Sequence, residues 1–290
     1  MSECCRGFLL TNAFLNSGKF SDIYDRLHRA ARGRGIALDA YTNAELFTPE
    51  QRSALEGRYD FVLFWDKDVR LGRELEAMGL RLLNRPQAVD LCDSKILTYD
   101  RLIREDIPMP RTLPLPFTYD NIGYTDTSFL EELSQLLSLP FVIKEARGSF
   151  GAQVYLAGSI SEAEAILATT GGREALAQEF ISESRGRDIR INMVGDHMAA
   201  AMERFNDDDF RANITAGGSM RPYDPTDEEL ALARRVMKIM DLDFAGIDIL
   251  FSHRGPLLCE VNSNPHFKSI YECTGVDVAD EIMAYILAVL

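Results

Sequence analysis

Two carboxylates and an amide lie on neighbouring predicted strands near the end of the sequence. Residues 246–252 and 256–262 alternate between apolar and polar side chains, and a three-residue turn ending in glycine separates them, which predicts a β-hairpin. This pairing places Asp248 opposite Glu260, and strand alternation puts Asn262 on the same face. Two opposed carboxylates repel each other unless a cation lies nearby.

The oxygen atoms of this face suit Mg²⁺, which binds a few carboxylates together with substrate phosphates at about 2.0–2.1 Å. The sequence therefore predicts a magnesium site at Asp248, Glu260 and Asn262. The alternative is a solvated acidic face on an edge hairpin. The polar turn of residues 262–265 favours the metal site.

The opposite face of the hairpin is apolar and is expected to pack into the core. It carries Ile247, Ile249, Phe251, Leu257, Cys259 and Val261. The predicted register pairs Leu250 with Leu258. Because Cys259 lies on this face, we expect a buried thiol without a chemical role.

A second candidate site joins a strand to a loop that contains glycine. Residues 140–145 form an apolar strand that carries Lys144, and Gly148, Ser149 and Gly151 follow in the loop. Backbone N–H groups of such a loop can bind phosphate, and the lysine adds a positive charge. The same residues also suit an ordinary turn, and the residue order of a P-loop is missing.

The N-terminal part of the sequence alternates short apolar strands with helices. Residues 7–11, 36–41 and 59–65 are predicted strands, and the last is apolar almost throughout, as in strands buried on both faces. Ser21 is predicted to cap the first helix, after a loop at residues 16–20 that also lacks the P-loop order. This alternation predicts an α/β layer with a parallel sheet.

The rest of the chain has a different pattern. Residues 107–116 contain four of the eleven prolines and are predicted to be an extended connector. Residues 176–215 are then rich in strands without intervening helices, and a final helix is predicted from Val276. The fold class is therefore α/β with an α+β C-terminal part that contains antiparallel sheets.

Charge and composition exclude several classes of protein. The 290 residues include 31 Lys and Arg against 45 Asp and Glu, and the net charge of −14 argues against non-specific nucleic-acid binding. No apolar run approaches the roughly 18 residues of a membrane span, so no membrane partner is expected. Five cysteines without a repeated spacing are typical of reduced thiols and predict a cytoplasmic location.

Together, the lysine strand, the glycine loop and the later Asp…Glu-x-Asn hairpin resemble an ATP-grasp enzyme. The match runs from about Asp93 to the C-terminus and is similar to the RimK-like branch, which includes ribosomal-protein glutamate ligases and LysX-like ligases that act on a carrier protein. The resemblance implies a Rossmann-like pre-ATP-grasp domain at 1–91, a central subdomain at 92–181 and a C-terminal subdomain at 182–290. Nucleotide is then expected between two antiparallel sheets.

The resemblance also assigns residues to ATP. Lys95 and Lys144 are expected to contact its phosphates, residues 178–181 its adenine, Asp188 its ribose and Arg211 its γ-phosphate. The full set implied for ATP binding is Lys95, Lys144, Gly148, Ser149, Gly151, Gln178, Glu179, Phe180, Ile181, Asp188, Arg211 and Asn213.

The implied activity is an ADP-forming ligation of a carboxylate to an amine through an acyl phosphate. Lys144, Arg190 and Arg211 are the implied catalytic residues, and Arg190 faces the acyl substrate. The hairpin ligands are expected to hold two Mg²⁺ ions, which Mn²⁺ can replace. The expected substrates are an amino acid such as glutamate and a carboxylate on a peptide, a carrier protein or a small molecule.

Three other interpretations stay open on the sequence. An ATP-grasp kinase would use the same lysines and metal ligands, and a regulatory module would bind ATP without catalysis. An unrelated α/β enzyme could match the motifs by chance, although they recur in order. Residues 264–269 depart from the glycine-containing acidic segment of ribosomal-protein glutamate ligases, so the substrate stays unassigned. A homo-oligomer, dimer or tetramer, is expected from the resemblance.

Overall fold

The N-terminal part of the chain folds around a four-stranded parallel sheet, as its alternating strands and helices predict. The computed structural model describes residues 5–15, 17–148, 151–214 and 217–290. The strands are β1 (Arg6–Thr11), β2 (Ala37–Thr42), β3 (Phe61–Phe64) and β4 (Leu82–Leu83), in the order β2-β1-β3-β4. Every residue of β3 is buried, which explains its continuous apolar sequence.

The helices of this part are α1 (Gly18–Gly33), α2 (Pro49–Ser53) and α3 (Val69–Ala77). The predicted loop at residues 16–20 is wrong in its second half, because α1 already begins at Gly18. Ser17, and not Ser21, is the N-cap residue, and its carbonyl accepts hydrogen bonds from the N–H groups of Phe20 and Ser21 at 3.0 and 3.3 Å.

Two helices connect the first sheet to the second, α4 (Pro86–Asp93) and α5 (Lys95–Ile103). Ser94 lies between them and caps α5, since its hydroxyl accepts a hydrogen bond from the N–H group of Leu97 at 3.4 Å. This cap places Lys95 at the first position of α5.

The second sheet is antiparallel and has the strand order β5-β8-β6-β7. Its strands are β5 (Thr112–Pro114), β6 (Phe141–Glu145), β7 (Val154–Ala157) and β8 (Ala175–Glu179). The proline-rich connector supplies the edge strand β5, a position where proline is tolerated. Helices α6 (Phe129–Leu137) and α7 (Ile160–Thr170) share one apolar core with this sheet.

The third sheet is also antiparallel and has the order β11-β10-β9-β12-β13. Its strands are β9 (Arg187–Val194), β10 (His197–Phe205), β11 (Ser219–Pro222), β12 (Phe244–Leu250) and β13 (Leu257–Asn262), and its helices are α8 (Asp227–Met240), α9 (Lys268–Thr274) and α10 (Val278–Val289). The final helix predicted from Val276 is α10, which begins two residues later because Asp277 caps it. Helix α9, whose C-cap is Gly275 with a φ of 75°, was not predicted.

The first and third sheets share an apolar core. Trp65, after β3, stacks on Phe244 of β12 with ring centroids 5.3 Å apart and an interplanar angle of 16°. Asn84 reinforces the contact, because its amide nitrogen donates to the carbonyls of Phe244 and Ser263 at 2.8 Å each. Its oxygen accepts from the N–H groups of Asp243 and Phe244 at 2.6 and 3.2 Å.

The predicted fold class is confirmed, with a parallel α/β layer followed by two antiparallel sheets. In the ranges that the structure describes, every helix is too short or too polar to span a membrane.

Candidate active site

The hairpin of β12 and β13 pairs Asp248 with Glu260, as the sequence predicts. Directly after Asp248 the register shifts by one residue, so Leu250 pairs with Leu257 and the predicted pairing with Leu258 is wrong. Such a bulge inserts one extra residue into a strand and re-aims the side chains beside it. The two opposed carboxylates keep their predicted pairing despite the bulge.

The bulge changes the position of Cys259. This residue borders the cavity between the two antiparallel sheets, with its Sγ atom 3.9 Å from Nζ of Lys144. The prediction that it lies on the apolar core face is therefore wrong, since the sequence alone does not show the extra residue. Burial raises the pKa of the thiol to about 11, so it is protonated near neutral pH.

A cavity of about 110 Å³ lies between the two antiparallel sheets. Most of the residues predicted to bind ATP border it, namely Lys95, Lys144, Gly148, Gly151, Gln178, Glu179, Phe180, Ile181, Asp188, Arg211 and Asn213. Asp248 and Glu260 border it as well. Ser149, the remaining residue predicted to bind ATP, lies outside the described residues.

A larger cavity of about 530 Å³ adjoins the first and shares wall residues with it, among them Lys95, Gly148, Asn213 and Glu260. Arg190 and Asn262, which do not border the smaller cavity, border this one. The predicted residues are thus divided between two adjoining cavities.

The N-terminal part of the chain supplies the other wall of the larger cavity. Its residues there are Asn12, Leu15, Lys19, Phe20, Trp65, Asp66 and Lys67. Sequence reasoning missed these residues as site candidates, because they follow β1 and β3 in segments without a recognisable motif. The order of the strands could have indicated them, because the carboxyl ends of neighbouring parallel strands meet at one edge of the sheet.

Lys144 is held by a chain of side chains on the second sheet. Its Nζ atom donates to Oε1 of Gln178 at 2.6 Å, and Nε2 of Gln178 donates to Oγ1 of Thr112 at 2.8 Å. The Thr112 hydroxyl donates in turn to the carbonyl of Pro110 at 2.8 Å. Lys144 is 8% exposed, so this chain fixes its ammonium group at the cavity wall.

Lys95 connects the two sides of the site. Its N–H group donates to the carbonyl of Ala146 at 2.8 Å, and its Nζ atom lies 3.4 Å from the carbonyl of Gly148. The same Nζ atom lies 3.5 Å from Oε1 of Glu260 on the third sheet. The predicted phosphate contact and the predicted metal ligand are therefore neighbours.

Two arginines surround the carboxylate of Asp248, which is 3% exposed. Arg190 binds both of its oxygens, at 2.7 and 2.6 Å, and Arg204 approaches at 3.0 Å. Burial alone would raise the pKa of Asp248, but the charges and hydrogen bonds of the two arginines outweigh burial and hold that pKa below its usual range. Arg204 also binds both oxygens of Asp188, at 2.7 and 2.6 Å.

Arg211 and Asn213 meet the end of the glycine loop. Nη1 of Arg211 donates to the carbonyl of Gly151 at 2.7 Å, while Asp209 holds the rest of the guanidinium group at 2.7–3.0 Å. Gly151 has a φ of 72°, and a Cβ atom there would lie 2.7 Å from Oδ1 of Asn213. Glycine is therefore required at position 151 for this approach.

The segment of residues 178–181 joins the second sheet to the third at the smaller cavity. Arg254, in the β12–β13 turn, donates to Oε2 of Glu179 at 2.8 Å. Phe180 meets Phe210 edge to face, with centroids 6.4 Å apart. The two phenylalanine rings give the cavity an apolar wall, and Arg254 pairs with the carboxylate of Glu179.

The predicted metal ligands lie at the border of the two cavities. Within the described ranges, no group of three or more His, Cys, Asp or Glu side chains is arranged to hold a metal ion. The predicted set combines two carboxylates with the amide of Asn262. Glu260 borders both cavities, Asp248 the smaller and Asn262 the larger. Carboxylate oxygens keep lone pairs beyond those that Arg190 and Lys95 engage, so the set fits the oxygen donors that Mg²⁺ prefers.

A cavity between two antiparallel sheets, with lysines on one side and carboxylates on the other, is typical of the ATP-grasp fold. The crystal structure of D-alanine–D-alanine ligase from Bacillus anthracis complexed with ATP has the same fold, with a TM-score of 0.75 at 15% sequence identity, covering 98% of this chain and 96% of that one.

The sequence comparisons identify the family. A model of the RimK-like ATP-grasp domain matches residues 92–286, and the chain belongs to that family. It is 35% identical over 217 residues to "Probable alpha-L-glutamate ligase" of Enterobacter sp. (strain 638), covering 74% of this chain and 70% of the relative. It is 34% identical over 217 residues, with the same coverage, to "Ribosomal protein bS6–L-glutamate ligase" of Escherichia fergusonii.

Membership of this family makes the chain an enzyme, a ligase that forms carbon–nitrogen bonds. The predicted family and enzyme class are confirmed.

Proposed function

We propose that this protein uses ATP to activate a carboxylate as an acyl phosphate, releases ADP, and joins the acyl group to the amine of an amino acid such as glutamate. The names of the two curated relatives support glutamate, and the second supports a protein acceptor. A peptide, a carrier protein or a small molecule would supply the carboxylate.

The contact between Lys95 and Glu260 carries this proposal. Their 3.5 Å separation brings the lysine predicted to bind phosphate, in the predicted central unit (92–181), to a predicted metal ligand of the C-terminal unit (182–290). Both residues border both cavities, so the γ-phosphate of a nucleotide in the smaller cavity would meet a carboxylate in the larger one.

The residues then serve two chemical steps. In the first, the bond from the γ-phosphorus to the bridging oxygen of ATP breaks, and a carboxylate oxygen bonds to that phosphorus. Lys95, Lys144 and Arg211 hold the phosphates by charge, since phosphoryl transfer depends mainly on positioning and charge neutralisation. Two Mg²⁺ ions, which Mn²⁺ could replace, would neutralise phosphate charge when bound at the hairpin ligands.

In the second step the amine lone pair attacks the acyl carbon, the carbon–oxygen bond to phosphate breaks, and the amine loses a proton. Arg190 borders the larger cavity and would hold the acyl group there. The adenine and ribose would occupy the smaller cavity beside residues 178–181 and Asp188. A cytoplasmic location and a homo-oligomeric state stay predictions.

Replacement of one metal ligand tests the site. Glu260→Gln removes a charge while keeping the shape, so ADP release should fall at least 100-fold, with thermal unfolding unchanged. Glu272→Gln, on the exposed surface of α9, is the matched control and should keep full turnover. Full turnover of Glu260→Gln would contradict its role as a metal ligand.

Product analysis tests the reaction itself. The wild-type protein, incubated with ATP, L-glutamate and a panel of carboxylate acceptors, should yield ADP, free phosphate and an amide detected by mass spectrometry. A phosphorylated acceptor without free phosphate would overturn the ligase in favour of a kinase.

A further inference from the structure

We infer that Asp93 and Arg147 are positioning residues, which fix Lys95 where it meets the phosphates of ATP. The inference rests on the proposed function, which assigns Lys95 to phosphate, and it adds two residues that this function does not use. It starts from a network of ion pairs beside the larger cavity, formed by Lys67, Arg73, Asp90, Asp93 and Arg147.

Asp93, the last residue of α4, lies at the centre of this network between two cations. Nη1 of Arg147 donates to its Oδ2 atom at 2.6 Å, and Nζ of Lys67 binds its Oδ1 atom. Lys67 belongs to the N-terminal part of the chain, whereas Arg147 follows β6 of the second sheet. One carboxylate, 16% exposed, therefore joins these two parts.

The cations keep this carboxylate charged. Burial alone would raise the pKa of Asp93, but the hydrogen bonds and charges of Lys67 and Arg147 outweigh burial and hold that pKa below its usual range. Asp90 lies on the same face of α4, three residues earlier, and its Oδ1 atom is 3.4 Å from Nη2 of Arg147. The guanidinium group of Arg147 thus contacts two carboxylates of one helix.

The segments that carry Asp93 and Arg147 also meet at Lys95. The N–H group of Lys95, at the start of α5, has no partner within the helix and donates to the carbonyl of Ala146 at 2.8 Å. Its Nζ atom lies 3.4 Å from the carbonyl of Gly148. The ion pair of Asp93 with Arg147 is therefore the third contact between residues 93–95 and 146–148.

Arg147 acts on the nucleotide through Lys95 and not by direct contact. Among the described residues, Lys95 and Gly148 border both cavities, whereas Arg147 borders neither and is 54% exposed. Asp93 borders the larger cavity, but its negative charge would repel a phosphate. Both residues favour nucleotide binding only because they hold residues 146–148 against Lys95.

The sign of the effect of Asp93→Asn tests this role. By charge alone, the loss of a carboxylate should tighten the binding of an anion. Positioning predicts the opposite, a Kd for AMP-PNP with Mg²⁺ that rises about fivefold or more, as for the loss of an ion pair. Isothermal titration calorimetry on the full chain measures this Kd. Adenosine has no phosphates, so its Kd should stay within about twofold of wild type.

Tighter or unchanged AMP-PNP binding in Asp93→Asn would overturn the inference, and so would an equal loss of adenosine binding. Arg147→Met removes the other partner and should weaken AMP-PNP binding about fivefold or more, whereas Arg147→Lys keeps the charge and should restore most of the affinity. Arg73→Met is the matched control, because Arg73 is 59% exposed and binds Asp90 in the same network. A loss as large as that of Arg147→Met in this control would overturn the specific role of Arg147.

A double-mutant cycle tests whether Arg147 acts through Lys95. Lys95→Met removes the phosphate contact itself and should weaken AMP-PNP binding about tenfold or more. In that background Arg147→Met should change the Kd less than about twofold, because no ammonium group is left to position. A further loss of about fivefold would show that the two residues act independently, and the inference would fail.

Failure of this inference is distinguishable from failure of the proposed function. If Lys95→Met weakens AMP-PNP binding but Asp93→Asn and Arg147→Met do not, the positioning role is wrong and the ligase proposal stands. If the variants behave as expected but mass spectrometry detects no amide, the ligase proposal is wrong and the positioning role stands. A wild-type protein that binds AMP-PNP no more tightly than adenosine would overturn both.

Discussion

Lys144 donates a 2.6 Å hydrogen bond to Gln178 on the neighbouring strand, so the two residues form one unit at the smaller cavity. The register of β6 and β8 pairs Val142 with Gln178, which places the side chains of Lys144 and Gln178 on the same face of the sheet. The resemblance assigns Gln178 to adenine, whereas its side chain binds the lysine. Its most direct effect should be on the position of the lysine ammonium group.

Gln178→Leu should therefore weaken ATP binding. The change removes the partner of Lys144 and leaves the Thr112 hydroxyl without a donor to accept from. We expect the KM for ATP to rise about tenfold, which corresponds to about 1.4 kcal/mol, as for the loss of one hydrogen bond to a charged group. Thr112→Val removes the outer partner alone and should have a smaller effect. A KM unchanged in Gln178→Leu would contradict the positioning role.

Arg204 should be necessary for stability as well as for the site. It is 5% exposed and binds two buried carboxylates, so Arg204→Met would leave Asp188 and part of Asp248 without a counter-charge. Removing one partner of a buried ion pair costs about 3–5 kcal/mol, and urea unfolding should show a loss of that order. Arg221 is exposed, and its buried partner Glu203 also pairs with Arg187, so Arg221→Met leaves that carboxylate a counter-charge and should cost less than about 1 kcal/mol. Equal losses of unfolding free energy in Arg204→Met and Arg221→Met would contradict the stabilising role of Arg204.

The stability of the protein should depend on pH through Asp243. Burial raises the pKa of Asp243 to about 6, although the hydroxyl of Tyr285 donates to it at 2.9 Å. A carboxyl whose folded pKa lies above the unfolded value of about 3.8 contributes stability below that value and loses it as pH rises through 6. The loss should amount to roughly 3 kcal/mol between pH 4 and pH 7.

Asp243→Asn isolates this effect, because the amide oxygen can still accept from Tyr285. Chemical denaturation at several pH values should show that the free energy of unfolding of the variant rises relative to that of the wild type as pH rises from 4 to 8. Asp241→Asn is the control, since the Asp241 side chain is 75% exposed. Its free energy of unfolding should differ from that of the wild type by the same amount at every pH. If the difference in free energy of unfolding between Asp243→Asn and wild type is constant across this range, Asp243 is not the source of the pH dependence.

Much of the fold followed from local patterns. The continuous apolar run of β3 predicted a strand buried on both faces, and the alternation in the hairpin predicted the pairing of Asp248 with Glu260. The start of α1 was misplaced because Ser17 and Ser21 are equally good caps by residue type. Packing of the first turn against the loop at His266 is a tertiary contact that the sequence does not display.

The site was less predictable than the fold. Most of the residues predicted to bind ATP border one cavity, because they lie on strands whose alternation is visible in the sequence. The position of Cys259 depended on a bulge, because a single extra residue shifts the strand register on one side of it. Lys19 and Trp65 reach the cavity through the docking of the first sheet on the third, which involves contacts between residues far apart in sequence.

The four hydrogen bonds of Asn84 have a consequence for how the enzyme admits ATP. They tie the end of β4 to the start of β12 and to Ser263, one residue beyond the proposed metal ligand Asn262. With the apolar core that the first and third sheets share, this makes them one rigid frame, whereas the second sheet has a core of its own. Entry and exit of nucleotide should therefore be accomplished by a swing of the middle sheet, while the first and third sheets keep their positions relative to each other.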